Sequence, residues 1–216
     1  MIGGNVGVVL IGRNLPADVM LPHDCTAREL RLACRMLANV VSLRRQNRKL
    51  ARLATLDPLT GLANRRALEE EFERMRPQPD ERRNGCLALA MFDIDQFKSV
   101  NAELGHLRGD EVLRRAATTL QARAKRHFVA RLGGDEFVLL SEFACTSDAS
   151  QLADDIRRAM GLAASLIVER PVSCSVGVAT MDWPDSLPAL LTVADSALRS
   201  AKEAGGKRME VLEVYD

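Results

Sequence analysis

The apolar positions between residues 26 and 54 recur in alternating steps of three and four, and no Pro or Gly interrupts them. Because Leu, Arg and Ala dominate this stretch, it predicts one long helix with an apolar stripe along a single face. The stripe is formed by Ala33, Met36, Val40, Leu43, Asn47, Leu50 and Ala54. Its spacing is that of the a and d positions of a coiled coil, in which a single Asn favours a parallel pair of helices. Two interpretations stay open, because the stripe could pair with a second chain or pack on the chain's own domain.

A sharp break in the helical pattern follows this stretch. Pro58 disfavours a helical conformation at Asp57, and Gly61 tolerates a turn. We therefore expect three parts. They are a short N-terminal segment of residues 1–25, a helical linker of residues 26–55 and a main domain of residues 56–216.

The main domain alternates between helical and strand-like patterns in a mixed order. The predicted helices cover residues 63–75, 109–126, 149–168 and 187–204. The predicted strands cover residues 86–94, 128–132, 137–140, 172–181 and 209–214. Because this order is too varied for strict βαβ alternation, we expect an α+β domain with a central sheet flanked by helices.

Composition and charge narrow the function classes. Thirty Lys and Arg residues against 29 Asp and Glu leave a net charge of +1, so nothing attracts the whole chain to nucleic acid or to an anionic membrane. The apolar run at residues 6–11 is far shorter than the roughly 20 residues of a membrane-spanning helix, and no basic residue precedes it as in a secretory signal. Five widely spaced cysteines without a Cys-x-x-Cys pair suit reduced thiols. We expect a cytoplasmic protein with neither nucleic acid nor membrane as a partner.

Acidic residues stand where two predicted strand segments end. Asp93 and Asp95 close the buried strand, and Asp135 and Glu136 follow two glycines in a predicted hairpin turn. If these ends are neighbours, their carboxylates converge and can hold a hard divalent cation together with substrate phosphates. Two structural alternatives stay open at this point. The first pair could cap the following helix, and the turn could be an ordinary solvated hairpin.

Four motifs, in this order along the chain, resemble those of the GGDEF family of diguanylate cyclases. They are Asp57-Pro58-Leu59-Thr60-Gly61-Leu62 with Asn64-Arg65-Arg66, then Asp93-Ile94-Asp95 with Phe97, Lys98 and Asn101, then Gly105-His106 with Gly109-Asp110, and Arg131-Leu132-Gly133-Gly134-Asp135-Glu136-Phe137. The resemblance implies a fold like the nucleotidyl-cyclase core and the polymerase palm. Its sheet would be mixed and largely antiparallel, with a long helix before the domain.

The resemblance also implies an activity. Members of the family condense two GTP molecules into cyclic di-GMP and two pyrophosphates with Mg²⁺, or Mn²⁺ as an alternative. Each subunit holds one GTP, so the enzyme acts as a homodimer. A second interpretation from another class is a catalytically silent GTP-binding or protein-interaction module of the same fold.

Family roles carried onto this sequence are also expectations. The resemblance implies Asp93, the carbonyl of Ile94 and Asp135 as metal ligands. It implies Asp135, Glu136 and Lys98 as catalytic residues, with Asp135 as proton acceptor and Lys98 stabilising the charged transition state. The implied substrate-binding residues are Asn101 and Asp110 for guanine, and Gln96, Phe97, Lys98, Gly133, Gly134 and Lys202 elsewhere on the nucleotide.

Some positions depart from the family pattern. Ala124 and His127 stand where an Arg-x-x-Asp product-inhibition motif is frequent, so we expect no inhibition of that kind. The late Gly-Arg-Asn motif is replaced by the four residues 205–208, which leaves Lys207 or Arg208 as substitutes for its Arg. Residues 1–25 loosely resemble the last portion of a response-regulator receiver domain, although an unrelated strand and linker is an equal alternative. Neither interpretation supplies a phosphoacceptor Asp.

Overall fold

A computed structural model describes residues 6–9, 19–22, 26–77, 85–182 and 186–214 of the chain. The chain divides into two compact units, Met1–Arg52 and Leu53–Asp216. Among the described residues, none of the helices is both long and apolar enough to cross a membrane.

The first unit contains a two-stranded antiparallel sheet and most of a long helix. Strands β1 (Val6–Val9) and β2 (Val19–Pro22) pair along their whole length. Helix α1 (Ala27–Thr55) begins with a reciprocal cap, in which the Thr26 amide donates to the Glu29 carboxylate at 2.7 Å and the Glu29 amide donates to the Thr26 hydroxyl at 3.3 Å. The predicted long helix is therefore present, and its bounds differ from the prediction by one residue.

The predicted apolar stripe of α1 is partly exposed. Met36 and Leu43 are 61% and 58% exposed, and Val40 is also exposed, whereas Ala33 is buried. The side chains of Asn47, Leu50 and Ala54 lie outside the described residues. The exposed part leaves an apolar surface that is available to a partner.

The second unit carries the predicted α+β order of elements, with one further helix after its first strand. They are α2 (Arg65–Met75), β3 (Cys86–Ile94), α3 (Phe97–Leu104), α4 (His106–Ala124), β4 (Phe128–Gly133), β5 (Glu136–Phe143), α5 (Thr146–Val168), β6 (Cys174–Met181), α6 (Leu187–Glu203) and β7 (Met209–Val214). The strands form one sheet in the order β4-β5-β3-β6-β7, in which the final pair is parallel and the others are antiparallel. This mixed sheet with flanking helices confirms the expected fold class.

Strand β3 lies at the centre of the sheet and both of its faces are covered. Since successive side chains of a strand point to opposite faces, Phe92 and Ile94 join one core cluster and Leu89 and Met91 join another. Helices α4 and α5 supply the first cluster, and α2 and α6 supply the second. This double burial explains why the strand's sequence is a continuous apolar run rather than an alternating one.

Three predicted boundaries differ from the structure by three residues, and several others differ by one or two. The helix predicted from residue 109 begins at His106, and α3 precedes it, separated by Gly105 at a φ of +81°. Strand β5 extends to Phe143 because its ladder with β3 continues to the pair Cys86↔Phe143. Helix α5 begins three residues before the predicted start, at Thr146.

Candidate functional site

The register of the central strands brings the two acidic segments together. Asp93 is opposite Glu136 on β5 and opposite Ser175 on β6. Asp135 directly precedes β5 in the hairpin turn, so it lies at the same edge of the sheet. The ends of β3 and β5 are therefore neighbours, which is the condition for the two acidic segments to share a ligand.

A cavity of about 660 Å³ opens at this edge. Its acidic lining residues are Asp93, Asp95, Asp135 and Glu136, and its basic ones are Lys98, Arg170, Lys202 and Lys207. Of the predicted substrate-binding residues, Gln96 and Phe97 also line it. A cavity that combines carboxylates with cations suits a metal-bound polyphosphate, since the cations neutralise phosphate charge and the carboxylates hold the metal.

Asp93 is the most buried carboxylate of the cavity. Its side chain is 10% exposed, and its Oδ2 lies 2.7 Å from Nζ of Lys202. Burial raises the pKa of Asp93 to about 6, and the charges of Asp135 and Asp95 act in the same direction, while Lys202 opposes the shift. The carboxylate thus gains strongly from any cation that approaches it.

Asp95 connects three elements instead of capping a helix. Its carboxylate accepts hydrogen bonds from the hydroxyls of Ser173 and Ser175 and from the backbone amide of Lys207 at 3.1 Å. Helix α3 starts after Gln96, and no side chain caps it. The capping alternative for these acids is therefore wrong. Asp95 instead fixes the loop between α6 and β7 against the start of β6.

The side chain of Arg131 fixes the Gly-Gly turn between β4 and β5 through hydrogen bonds to its backbone. Arg131 donates from Nε and Nη2 to the Gly134 carbonyl at 3.0 and 2.7 Å. Its Nη1 also donates to both carboxylate oxygens of Asp57 at 2.8 and 3.0 Å. Gly134 adopts a φ of +52°, a left-handed conformation that glycine adopts without strain. The turn is thus an anchored element, and its acids Asp135 and Glu136 line the cavity.

Asp57 ties this anchor to the segment that follows α1. Burial opposes ionisation of Asp57, yet hydrogen bonds from Thr60 and Arg131 outweigh it and lower its pKa. The Thr60 hydroxyl donates to Asp57 Oδ1 at 2.6 Å. Sequence reasoning assigned no role to Asp57 or Arg131, although both belong to the quoted motifs. The sequence contained one indication of this ion pair, because Asp57 and Arg131 are opposite charges in two of the quoted motifs, 74 residues apart.

Asn101 and Asp110 are not among the described residues that line this cavity. Both are half-buried where α3 meets α4. A Cβ added to Gly109 would lie 1.9 Å from Oδ1 of Asn101, so the Asn101 side chain rests directly on the backbone of α4. Because Gly109 has no side chain, the amide group of Asn101 has room to lie beside Asp110.

The donor set at the sheet edge fits a hard divalent cation. In the part of the chain that the structure describes, no group of three or more His, Cys, Asp or Glu side chains could hold a metal. Asp93 and Asp135 nevertheless provide two carboxylates, and Ile94 also lines the cavity. Mg²⁺ is commonly held by one or two carboxylates, with substrate phosphates and water completing its shell. Two protein carboxylates are therefore enough for a Mg²⁺ site whose remaining ligands come from substrate phosphates and water.

Sequence reasoning missed two further features of the cavity. Arg170 lies in its wall, beyond the end of α5, and pairs with Glu103 at 3.2 Å. Arg157 donates to the Lys207 carbonyl at 2.7 Å, so the amide and the carbonyl of Lys207 are both held. Neither arginine belongs to a quoted motif, and only the folded chain reveals their positions.

Comparisons with known proteins agree on one family. Residues 54–208 match the family model described as "Diguanylate cyclase, GGDEF domain". The chain is 40% identical over 161 residues to the diguanylate cyclase DgcP of Pseudomonas aeruginosa, covering 73% of this chain and 24% of that protein. It is 38% identical over 179 residues to the diguanylate cyclase TpbB of the same organism, covering 81% of this chain and 41% of that protein. The chain thus spans less than half the length of these relatives.

A solved structure shows the same likeness in three dimensions. The coiled coil and GGDEF domain of DgcB from Caulobacter crescentus, in complex with c-di-GMP, superposes with a TM-score of 0.74 at 30% identity. The match covers 87% of this chain and all of that one.

Proposed function

This chain belongs to the GGDEF family of diguanylate cyclases, and from that membership we propose that it condenses two GTP molecules into cyclic di-GMP with release of two pyrophosphates. The observation that carries the proposal is the strand register that sets Asp93 opposite Glu136, with Asp135 beside them. Carboxylates from two distant segments meet there, beside a cavity that also contains cations.

The proposed cation ligands are Asp93, the Ile94 carbonyl and Asp135. Mg²⁺, or Mn²⁺ in its place, would supply Lewis-acid stabilisation of the attacking and leaving oxygens. Asp135 is the proposed acceptor of the proton from the 3′-hydroxyl of one GTP, with Glu136 next to it. Lys98, in the first turn of α3, stabilises the negative charge that develops on the phosphate.

The triphosphate is proposed to lie against cations from two sides of the cavity. Gln96 and Phe97 place backbone amides at the start of α3, and such amides attract phosphate. Lys202, in the last turn of α6, lines the same cavity. Of the two substitutes for the missing late Arg, we favour Lys207, because it lines the cavity and its backbone is held on both sides. The backbone of Arg208 instead bonds to β6, where its carbonyl accepts from the Val176 amide.

The guanine base is assigned to the junction of α3 and α4. An amide and a carboxylate together match guanine's carbonyl acceptor and its amino and imino donors. Asn101 and Asp110 supply these groups, and the position of Asn101 depends on Gly109. Gly133 and Gly134 leave the turn open on its outer side, because a Cβ at either position would meet no atom within 4 Å. Substrate can therefore approach the backbone there.

The reaction requires two facing domains, so we propose a homodimer. The exposed apolar positions Met36, Val40 and Leu43 on α1 support it, since pairing along this stripe would bury them. Pairing would also raise the effective concentration of one catalytic domain beside the other. We further propose a cytoplasmic location and an absence of product inhibition through the positions of Ala124 and His127.

Incubation of the purified protein with GTP and Mg²⁺, followed by mass spectrometry of the products, tests the reaction. Asp135→Ala should abolish cyclic di-GMP formation and leave the thermal unfolding curve almost unchanged, because a turn carboxylate contributes little to packing. Asp155→Ala, which removes a half-exposed carboxylate of α5, is the matched control and should retain activity. GTP binding without any product would instead favour the silent regulatory module.

A further inference from the structure

Asp93, the most buried carboxylate of the proposed cation site, already forms an ion pair with Lys202. We propose that Lys202 is the internal counter-ion of this site, so that its ammonium neutralises Asp93 in the nucleotide-free protein and a divalent cation must displace it. The inference rests on the proposed function in one respect only, which is that the site takes a divalent cation.

The two partners of this ion pair differ in how firmly they are placed. Asp93 sits at the end of a central strand with its side chain 10% exposed, so it cannot turn away to find water. Lys202 is 43% exposed and stands in the last turn of α6, directly before the Gly205-Gly206 loop. A long, flexible and half-exposed side chain can change its rotamer, whereas the buried carboxylate stays in place.

The neighbouring acid of the same segment has other partners. Asp95 accepts from two serine hydroxyls and from the Lys207 amide, so it is satisfied without a cation. Asp93 has the Lys202 ammonium at 2.7 Å. A buried carboxylate that loses its cationic partner carries a large desolvation cost. Lys202 therefore stabilises the cation-free form of the site by pairing with Asp93, which also lines the cavity.

Competition follows from the distances. Mg²⁺ binds carboxylate oxygen at about 2.0–2.1 Å, so an ammonium cannot keep its own contact with that oxygen without strong repulsion. A bound triphosphate offers Lys202 a second anionic partner, which makes displacement easier. Because linkage is reciprocal, nucleotide and cation should each strengthen the binding of the other, and Lys202 should carry part of that coupling. Cation alone should bind weakly.

Titration of the full chain with Mn²⁺ in the absence of nucleotide, followed by electron paramagnetic resonance at pH 8.5, tests the counter-ion role. Lys202→Met keeps the aliphatic stem and removes the charge, and it should lower the Kd for Mn²⁺ by about tenfold, which corresponds to about 1.4 kcal/mol. Lys202→Arg keeps the charge and should bind Mn²⁺ as weakly as the wild type. If Lys202→Met fails to fold, Lys202→Gln takes its place.

Two controls identify the origin of the effect. Lys207→Met removes another cation from the same cavity and should leave the Mn²⁺ affinity within about twofold of wild type. The double variant Lys202→Met/Asp93→Asn should lose the gain, which shows that the ion binds at this carboxylate. An unchanged or weaker Mn²⁺ affinity in Lys202→Met, or an equal gain in Lys207→Met, would overturn the counter-ion role.

The proposed reaction is tested separately on the same preparations. If the wild type makes no cyclic di-GMP while Lys202→Met still gains Mn²⁺ affinity, the cyclase proposal fails and the counter-ion role stands. If product forms and the Mn²⁺ affinity of Lys202→Met does not change, the counter-ion role fails and the cyclase proposal stands.

Discussion

Replacing Asp93 with Asn should make the free energy of unfolding less dependent on pH. Asp93 is held in a buried position with a pKa of about 6, against 3.8 in the unfolded chain. Burial is the main cause, and the charge of Lys202 only partly offsets it. Because the folded state binds this proton more tightly, the carboxyl stabilises the fold fully below pH 3.8, and that contribution is lost as the pH rises through 6.

The size of the effect follows from the two pKa values. Between pH 5 and pH 8, the folded state releases about 0.9 proton from this carboxyl, while the unfolded state releases only about 0.1. Integration over this range gives a loss of about 1.4 kcal/mol from the wild-type free energy of unfolding. Asn cannot titrate, so Asp93→Asn should gain about 1.4 kcal/mol relative to wild type over the same range. The unpaired Lys202 adds an offset that is nearly the same at both pH values.

Urea denaturation at pH 5 and pH 8, with a chelator present, measures this difference. Asp155→Asn is the matched control, because its carboxylate is half-exposed on α5, where it pairs with the exposed Arg158. Its difference from wild type should hold nearly constant. If Asp93→Asn and the wild type follow parallel pH curves, the burial argument for Asp93 is refuted.

Three further perturbations test other parts of the structure. Arg131→Lys cannot contact Asp57 and the Gly134 carbonyl at the same time, so the free energy of unfolding should fall by about 2 kcal/mol in urea titrations; an unchanged midpoint would contradict the anchor. Gly109→Ala should push Asn101 aside and raise the KM for GTP about tenfold with little loss of fold, and an unaltered KM would remove Asn101 from the guanine site. Leu43→Asp should shift the protein towards monomer in sedimentation experiments and reduce activity at equal concentration, unless α1 plays no part in pairing.

Local patterns were sufficient wherever neighbouring residues decide the conformation. The bounds of β3 and β7 agree with the prediction, because β3 contains a continuous apolar run and β7 is rich in Val and Leu. The boundary between α3 and α4 was missed, since Gly105 alone does not show whether a helix is interrupted there. The far end of β5 was also missed, because its length depends on the partner strand and not on its own residues.

The candidate site was predictable in its residue types and not in its contacts. The family resemblance marked Asp93, Asp135 and Lys202 as members of one site. Lys202 was expected to face phosphate, and in the structure it pairs with Asp93. The two serines that hold Asp95 are 78 and 80 residues away along the chain, and no sequence pattern indicated them.

By itself, the sequence determined the family, the order of most helices and strands and the acids at the strand ends, because these follow from short-range periodicity and from motif residues that lie close together. Only the tertiary structure decided which carboxylate is buried and which cation neutralises it. It also decided that Arg131 joins the start of the domain to the Gly-Gly turn. The physical reason is that burial and ion pairing depend on strand register and helix packing, which bring together groups that are tens of residues apart.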